Sequence, residues 1–143
     1  MTSVLDKAFE TMIGPLSGTR FQDFVDQLYS AYYETRFTCI RQYHDKGCDG
    51  ILDDKCIIAC YGPERYSKPD FEDKIDKDFA LYKLHWRAKH SDWQVVYNGK
   101  FMSGMVLHLK KLKADTIRTG LPDLMRMVRD LHWPQKRHLV WCN

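Results

Sequence analysis

The chain opens with Val4, Leu5, Ala8, Phe9, Met12 and Ile13 at helical spacing, and Gly14-Pro15 ends this short amphipathic helix. A second helix is expected after Ser17-Gly18-Thr19, where a hydroxyl suits the cap of free amides. Phe21, Phe24, Val25, Leu28 and Tyr32 form its apolar stripe. Three β-prone runs come next. The first is Phe37 to Gln42, and the polar, turn-like stretch from Tyr43 to Asp49 leads to the second, Gly50-Ile51-Leu52. Asp53-Asp54 signals a tight turn into the third, Lys55 to Tyr61, which reads as buried throughout. Beyond Gly62-Pro63 and a polar loop, Pro69 sits where a helix begins, with Asp70, Glu72 and Asp73 favourable to its dipole. Phe71, Ile75, Phe79, Tyr82 and Trp86 mark the apolar face of that helix, which should end near Lys89. Trp93 to Tyr97 is a fourth strand closed by Asn98-Gly99. Met102, Met105, Val106, Leu109 and Leu112 then mark one helix, and Leu124, Met127, Val128 and Leu131 another behind Pro122. His138 to Cys142 reads as a last short strand.

Helix, three strands, long helix, strand and a helical C-terminal section imply an α/β domain, with a mixed sheet flanked by helices on both sides. The 143 residues, 44% of them hydrophobic, are expected to form one domain over 1–143. No run of about 18 apolar residues is present. Met1 to Lys7 lacks the basic and apolar regions of a signal peptide, so the expectation is a soluble cytoplasmic protein without membrane contact. The chain stops directly after the His138–Cys142 run with no polar tail, a pattern consistent with the N-terminal domain of a longer protein.

Charge is unevenly spread. Residues 1–82 carry 10 Lys/Arg against 15 Asp/Glu and residues 83–143 carry 12 against 4, so the two parts stand at −5 and +8. A basic C-terminal part can attract polyanions, although basic surface helices are also common in proteins that bind none. Five cysteines without CxxC spacing read as reduced thiols. His44, Cys48, Cys56 and Cys60 offer zinc-type ligands, but at strand spacing Cys56 and Cys60 lie about 13 Å apart on one face. That is too far for one tetrahedral zinc, and buried small hydrophobes are the simpler reading. The remaining histidines form no HExxH, and the absence of a P-loop or GxGxxG argues against nucleotide binding.

Phe21-Gln22 with Phe24 to Leu28, then Asp45-Lys46-Gly47-Cys48-Asp49-Gly50, then Ile57 to Tyr61 resemble the PD-(D/E)xK restriction-endonuclease-like superfamily, most closely its Mrr-like branch. The resemblance covers about residues 17–100. It implies a restriction-endonuclease-like mixed β-sheet of order α-βββ-α-β with a helical C-terminal extension, and a Mg²⁺-dependent DNA endonuclease activity. Ile57-Ile58-Ala59-Cys60-Tyr61-Gly62-Pro63-Glu64, followed by an amphipathic helix and Trp93 to Asn98, also looks like N-terminal effector domains of bacterial anti-phage defence proteins. That likeness implies DNA as ligand, and other domains or subunits of a defence complex as partners.

Phosphodiester hydrolysis of that kind needs an acid at the Asp-Gly turn, a second acid on the neighbouring strand, and a lysine two residues on to orient water or offset transition-state charge. Asp49 stands in the first position and would be the metal ligand. Ala59 stands where the second acid should be and Tyr61 where the lysine should be, and Gln22 replaces a helix carboxylate. Asp49 with Glu64, and Lys46 or Lys68, is the candidate rearranged site. Tyr61 is a candidate nucleophile or phosphate donor, weighed against a plain aromatic closing the strand under Gly62-Pro63. Lys110, Lys111, Lys113, Arg126 and Arg129, with Lys136 and Arg137, are the candidate phosphate contacts, and Trp86, Trp93, Trp133 and Trp141 candidate stacking surfaces. Periodicity puts Trp86 and Trp93 in the core. Three functions are compatible with these residues: a metal-dependent nuclease effector, a catalytically degraded fold that binds nucleic acid, and a protein-interaction module that oligomerises or senses.

Overall fold

The computed structural model describes residues 4–40 and 46–131. Its elements run α1 (Val4–Ile13), α2 (Gly18–Tyr33), a single 3₁₀ turn, β1 (Phe37–Cys39), β2 (Gly50–Leu52), β3 (Cys56–Tyr61), α3 (Lys68–His85), β4 (Asp92–Tyr97), α4 (Ser103–Leu112), β5 (Ile117–Thr119) and α5 (Leu121–Asp130). The five strands form one sheet in chain order. β1, β2 and β3 pair antiparallel, while β4 and β5 add in parallel to the far side of β3. The chain is thus an α/β domain with a mixed sheet between two helical layers. No helix among the described residues is long and apolar enough to cross a membrane.

Alternation along β3 builds both layers. Cys56, Ile58 and Cys60 face Phe21, Phe24, Val25 and Leu28 of α2, with Leu124, Met127 and Val128 of α5 on the same side. Ile57, Ala59 and Tyr61 face Phe71, Ile75, Phe79 and Tyr82 of α3, with Met105 and Leu109 of α4. All six residues of β3 are buried, as a strand covered on both faces requires. α1 lies against α5 and places Ile13 in the first layer.

The stretch between the two expected C-terminal helices holds a strand that the sequence pattern does not predict. Ile117-Arg118-Thr119 forms β5 beside β4, so α4 is a crossover between parallel strands rather than part of an appendage. Three residues, two of them exposed, carry too little alternation to announce a strand. A buried polar network holds β5 in place. Gln94 of β4 accepts hydrogen bonds from Tyr29 Oη at 2.5 Å and Thr119 Oγ1 at 3.0 Å, tying α2, β4 and β5 together. Burial pushes the Tyr29 hydroxyl well above its ordinary pKa, so it stays a donor.

Smaller departures have local causes. On α2 the inward residue is Tyr29, while Tyr32 is 38% exposed, because the stripe drifts around the helix. α3 ends at His85, where the amides of Trp86 and Arg87 both turn back to the Tyr82 carbonyl. Trp93 is fully buried and Trp86 half-buried. The expected first strand beyond residue 40, and the His138–Cys142 strand, lie outside the described residues.

The β2–β3 turn places both Asp53 and Asp54 at positive φ, 56° and 52°, where glycine or asparagine is favoured. Asp53 is held there by a two-pronged pair with Arg36 at 2.7 and 2.8 Å, and Arg36 lies over the Tyr33 ring. Asp54 is exposed, and its carboxylate meets His90 Nε2 at 3.4 Å, a longer contact than the Arg36 pair. Asp54→Gly is therefore expected to stabilise the domain by about 1 kcal/mol, through relief of left-handed strain. Thermal unfolding checks this, and an unchanged or lower melting temperature would contradict it.

Candidate functional site

The site forms where β2 and β3 part. Their ladder closes at Gly50 opposite Ile58, and the Asp49 amide donates to the Ile58 carbonyl at 2.8 Å. One step further β2 has ended, and the Cys60 amide needs another acceptor. Asp49 provides it, with Oδ2 accepting from Cys60 N at 2.7 Å and Oδ1 accepting from Gln22 Nε2 at 2.8 Å. One half-buried carboxylate therefore joins helix α2 to the open end of the central strand.

Two glycines allow the approach. Gly62, just past β3, lies so close to α2 that a Cβ there would come within 2.6 Å of the Phe21 ring, and its carbonyl accepts from Gly18 N at 2.8 Å. Gly47, at φ 78°, lets the segment before Asp49 run along α3, where a Cβ would meet Leu81 Cβ at 2.9 Å and the Asp78 carbonyl at 3.1 Å.

A cleft of about 450 Å³ opens beside this junction. Gly18, Thr19 and Gln22 of α2 line one wall, Cys60 to Pro63 the base, and Arg65, Asp70 and Lys74 the other wall. Lys74 Nζ donates to the buried Asp78 carboxylate at 2.6 Å. Burial raises the Cys60 thiol well above its usual pKa. Asp49 and Asp26 add to the rise and Lys74 opposes it, so these charges act on the same spot.

The sequence candidates separate in the structure. Asp49 sits behind Gln22 and Cys60, which face the cleft. Tyr61 lines the cleft, but its ring stacks on Tyr97 at 5.7 Å and meets Phe71 edge-on at 5.4 Å. Its hydroxyl is buried without a hydrogen-bond partner among the described residues, and burial, with Tyr97 and Asp70, raises its pKa. Glu64 and Lys68 are exposed and are not among the cleft's lining residues. Lys46 is exposed, and its carbonyl accepts from Trp86 Nε1 at 3.1 Å, beyond the far end of α3 from Asp70 and Lys74.

The phosphate candidates also separate. Lys110 and Lys111 are exposed on α4, whose buried side faces the α3 layer, whereas Arg126 and Arg129 are exposed on α5, which covers the opposite face. Lys113 is largely enclosed and paired with Asp115, and Arg126 is 3.4 Å from Asp123. The strong charge of the C-terminal part is thus divided between two surfaces. Lys136, Arg137, Trp133 and Trp141 lie outside the described residues. In the sequence Arg65 is one of several loop cations beyond β3 and Lys74 one of several on α3, and only the structure brings the two to one wall. Lys74 comes three residues after Phe71 and one before Ile75. Helical spacing therefore puts it at the edge of the buried stripe, and that is the signal that could have found it.

The side chains present do not fit the Mg²⁺ that the sequence resemblance implies. Such an ion seeks several oxygens in octahedral array. Here each oxygen of Asp49 already accepts an N–H bond, Gln22 turns its amide nitrogen to Asp49, and Ala59, in the α3 layer, brings no oxygen. As for zinc, Cys48 packs in the α3 layer while Cys56 and Cys60 pack on the other side of the sheet. The described residues define an α/β domain with a clamped junction and a cleft beside it. Comparison with family models, with curated proteins and with solved structures found no match.

The clamp makes a testable demand. Asp49→Ala strands the Cys60 amide and is expected to cost about 1–3 kcal/mol, the penalty of an unsatisfied buried donor. Asp49→Asn keeps an acceptor for Cys60 and should lose less than half as much. Urea unfolding of both variants checks the order, and an Asp49→Ala protein as stable as the parent contradicts it.

Proposed function

We propose that the chain is a catalytically degraded nuclease-like domain that binds nucleic acid without metal-dependent hydrolysis, as part of a prokaryotic anti-phage defence protein. The observation that carries this reading is the state of Asp49, whose carboxylate serves as a structural acceptor for Gln22 and Cys60. The element order α-βββ-α-β, with an antiparallel trio joined by a parallel strand, is the one the resemblance leads one to expect. The strand positions that should carry the second acid and the lysine hold Ala59 and Tyr61, both in the apolar layer under α3 and α4. An element order like that scaffold's, without its second acid and lysine, supports binding over cleavage. The defence setting and the choice of DNA come from the sequence resemblance.

Because phosphate neutralisation releases counterions, binding should fall steeply with salt. Fluorescence anisotropy with single-stranded and duplex DNA at two salt concentrations is expected to show salt-sensitive affinity, and incubation with Mg²⁺ or Mn²⁺ to leave the DNA intact. No binding at low salt would sink the proposal. Divalent-dependent cleavage that Asp49→Ala abolishes would replace it with a rearranged active nuclease.

A further inference from the structure

Nucleic-acid binding, the reading on which this second proposal rests, leaves open which surface meets the nucleic acid. α3 and α4 each return the chain to the start of a parallel strand, so both finish at the end of the sheet where β4 and β5 begin. Their cations gather there. Lys83 lies in the last turn of α3, Arg87 and Lys89 in the turn that follows, and Lys110 and Lys111 in the last turn of α4, and all of them are exposed. We infer that this basic end of the α3 and α4 layer holds the sugar-phosphate backbone of a nucleic-acid duplex, at the opposite end of the sheet from the Asp49 junction.

The charge left over after local pairing carries the inference. The acids of the β2–β3 turn, the start of β4 and the loop after α4 each have a partner of their own: Asp53 has Arg36, Asp54 has His90, Asp92 has Lys55 and Asp115 has Lys113. The cations of the two helix ends take no part in these pairs. Among the described residues Lys83 meets only an aromatic face, the Phe79 ring at 5.3 Å, and Arg87, Lys89, Lys110 and Lys111 have no acid within ion-pair distance. A hydrogen bond from Lys113 above all, with the field of Arg87 added, holds the Asp115 carboxyl below its usual range. Arg87 therefore stands within reach of the end of α4, and the two sets of cations make one patch.

The helix macrodipole accounts for a lysine in the last turn of each helix, but its effect fades within that turn, and Arg87 and Lys89 lie past it. At the start of α3 the sign reverses. Asp70, Glu72, Asp73 and Asp76 crowd that end, where Lys77 is taken up by Asp73 and Lys74 by Asp78. A polyanion is thus steered toward the helix ends and away from the cleft beside Asp49. The form of the nucleic acid follows from the aromatic residues. Single strands are held by cations together with exposed rings on which bases stack. Here Phe79 and Tyr82 are buried, and Trp86 is half-buried with Nε1 donating to the Lys46 carbonyl and its ring edge-on to His90. Exposed cations without a stacking platform suit the outer backbone of a duplex.

The test follows binding of a fluorescent DNA duplex, and of one of its strands alone, to the intact chain by anisotropy between about 50 and about 200 mM salt. If Lys83, Arg87, Lys89, Lys110 and Lys111 each meet a phosphate, log Kobs should fall against log salt with a slope of about −4.5, a loss of roughly 500-fold over that range. Lys83→Gln with Arg87→Gln, and Lys110→Gln with Lys111→Gln, should each flatten the slope by about 2, while Lys83→Arg and Lys111→Arg keep it. A slope that neither double variant changes overturns the inference, as does tighter binding of the single strand than of the duplex, and both results leave nucleic-acid binding intact. A slope lowered instead by Arg126→Gln with Arg129→Gln moves the contact to α5 and overturns it as well. No binding of either form at low salt removes the underlying reading too.

Discussion

One carboxylate joins helix α2 to the open end of the central strand. β2 is only three residues long and β3 is six, so the longer strand runs past its neighbour and exposes an amide at Cys60 with no strand to receive it. An unsatisfied buried amide is costly, and Asp49 answers it from the last residue before β2. The same group then reaches Gln22, which fixes the position of α2 over the sheet. The cleft, its wall of helix amides and the burial of Cys60 all depend on where that contact puts α2.

The packing around the junction obeys the same constraint. Gly62 and Gly47 are the points where backbone must pass close to a helix, α2 in one case and α3 in the other. A side chain at either position would push a helix off the sheet and widen the gap that Asp49 spans. Tyr61, stacked on Tyr97 in the layer under α3 and α4, lies at the base of the cleft.

Much of the fold was legible in the sequence because it rests on strong local patterns. The stripe of α2 from Phe21 to Leu28, the run of apolar residues in β3 and the face of α3 from Phe71 to Tyr82 all appear as burial in the structure. β5 was not legible: its position depends on Thr119 meeting Gln94 inside the core, a contact between residues 25 apart that no short-range pattern encodes. The site divides the same way. Asp49 was found through its Asp-Gly turn, but its occupation by Gln22 and Cys60 N is a tertiary fact. Glu64, Lys46 and Lys68 lie near Asp49 or β3 in sequence, yet all three are exposed and stand off the cleft lining, while Lys74, further along α3, lines the cleft.

Asp49 is committed to its two hydrogen bonds, and Mg²⁺ titration followed by amide NMR tests that directly. If Asp49 is a clamp, the Cys60 amide and the Gln22 side-chain amide keep their chemical shifts and their slow exchange as Mg²⁺ rises into the millimolar range. Saturable shifts confined to those two groups, absent in Asp49→Asn, would show that the carboxylate gives up its hydrogen bonds to a metal and would contradict the account.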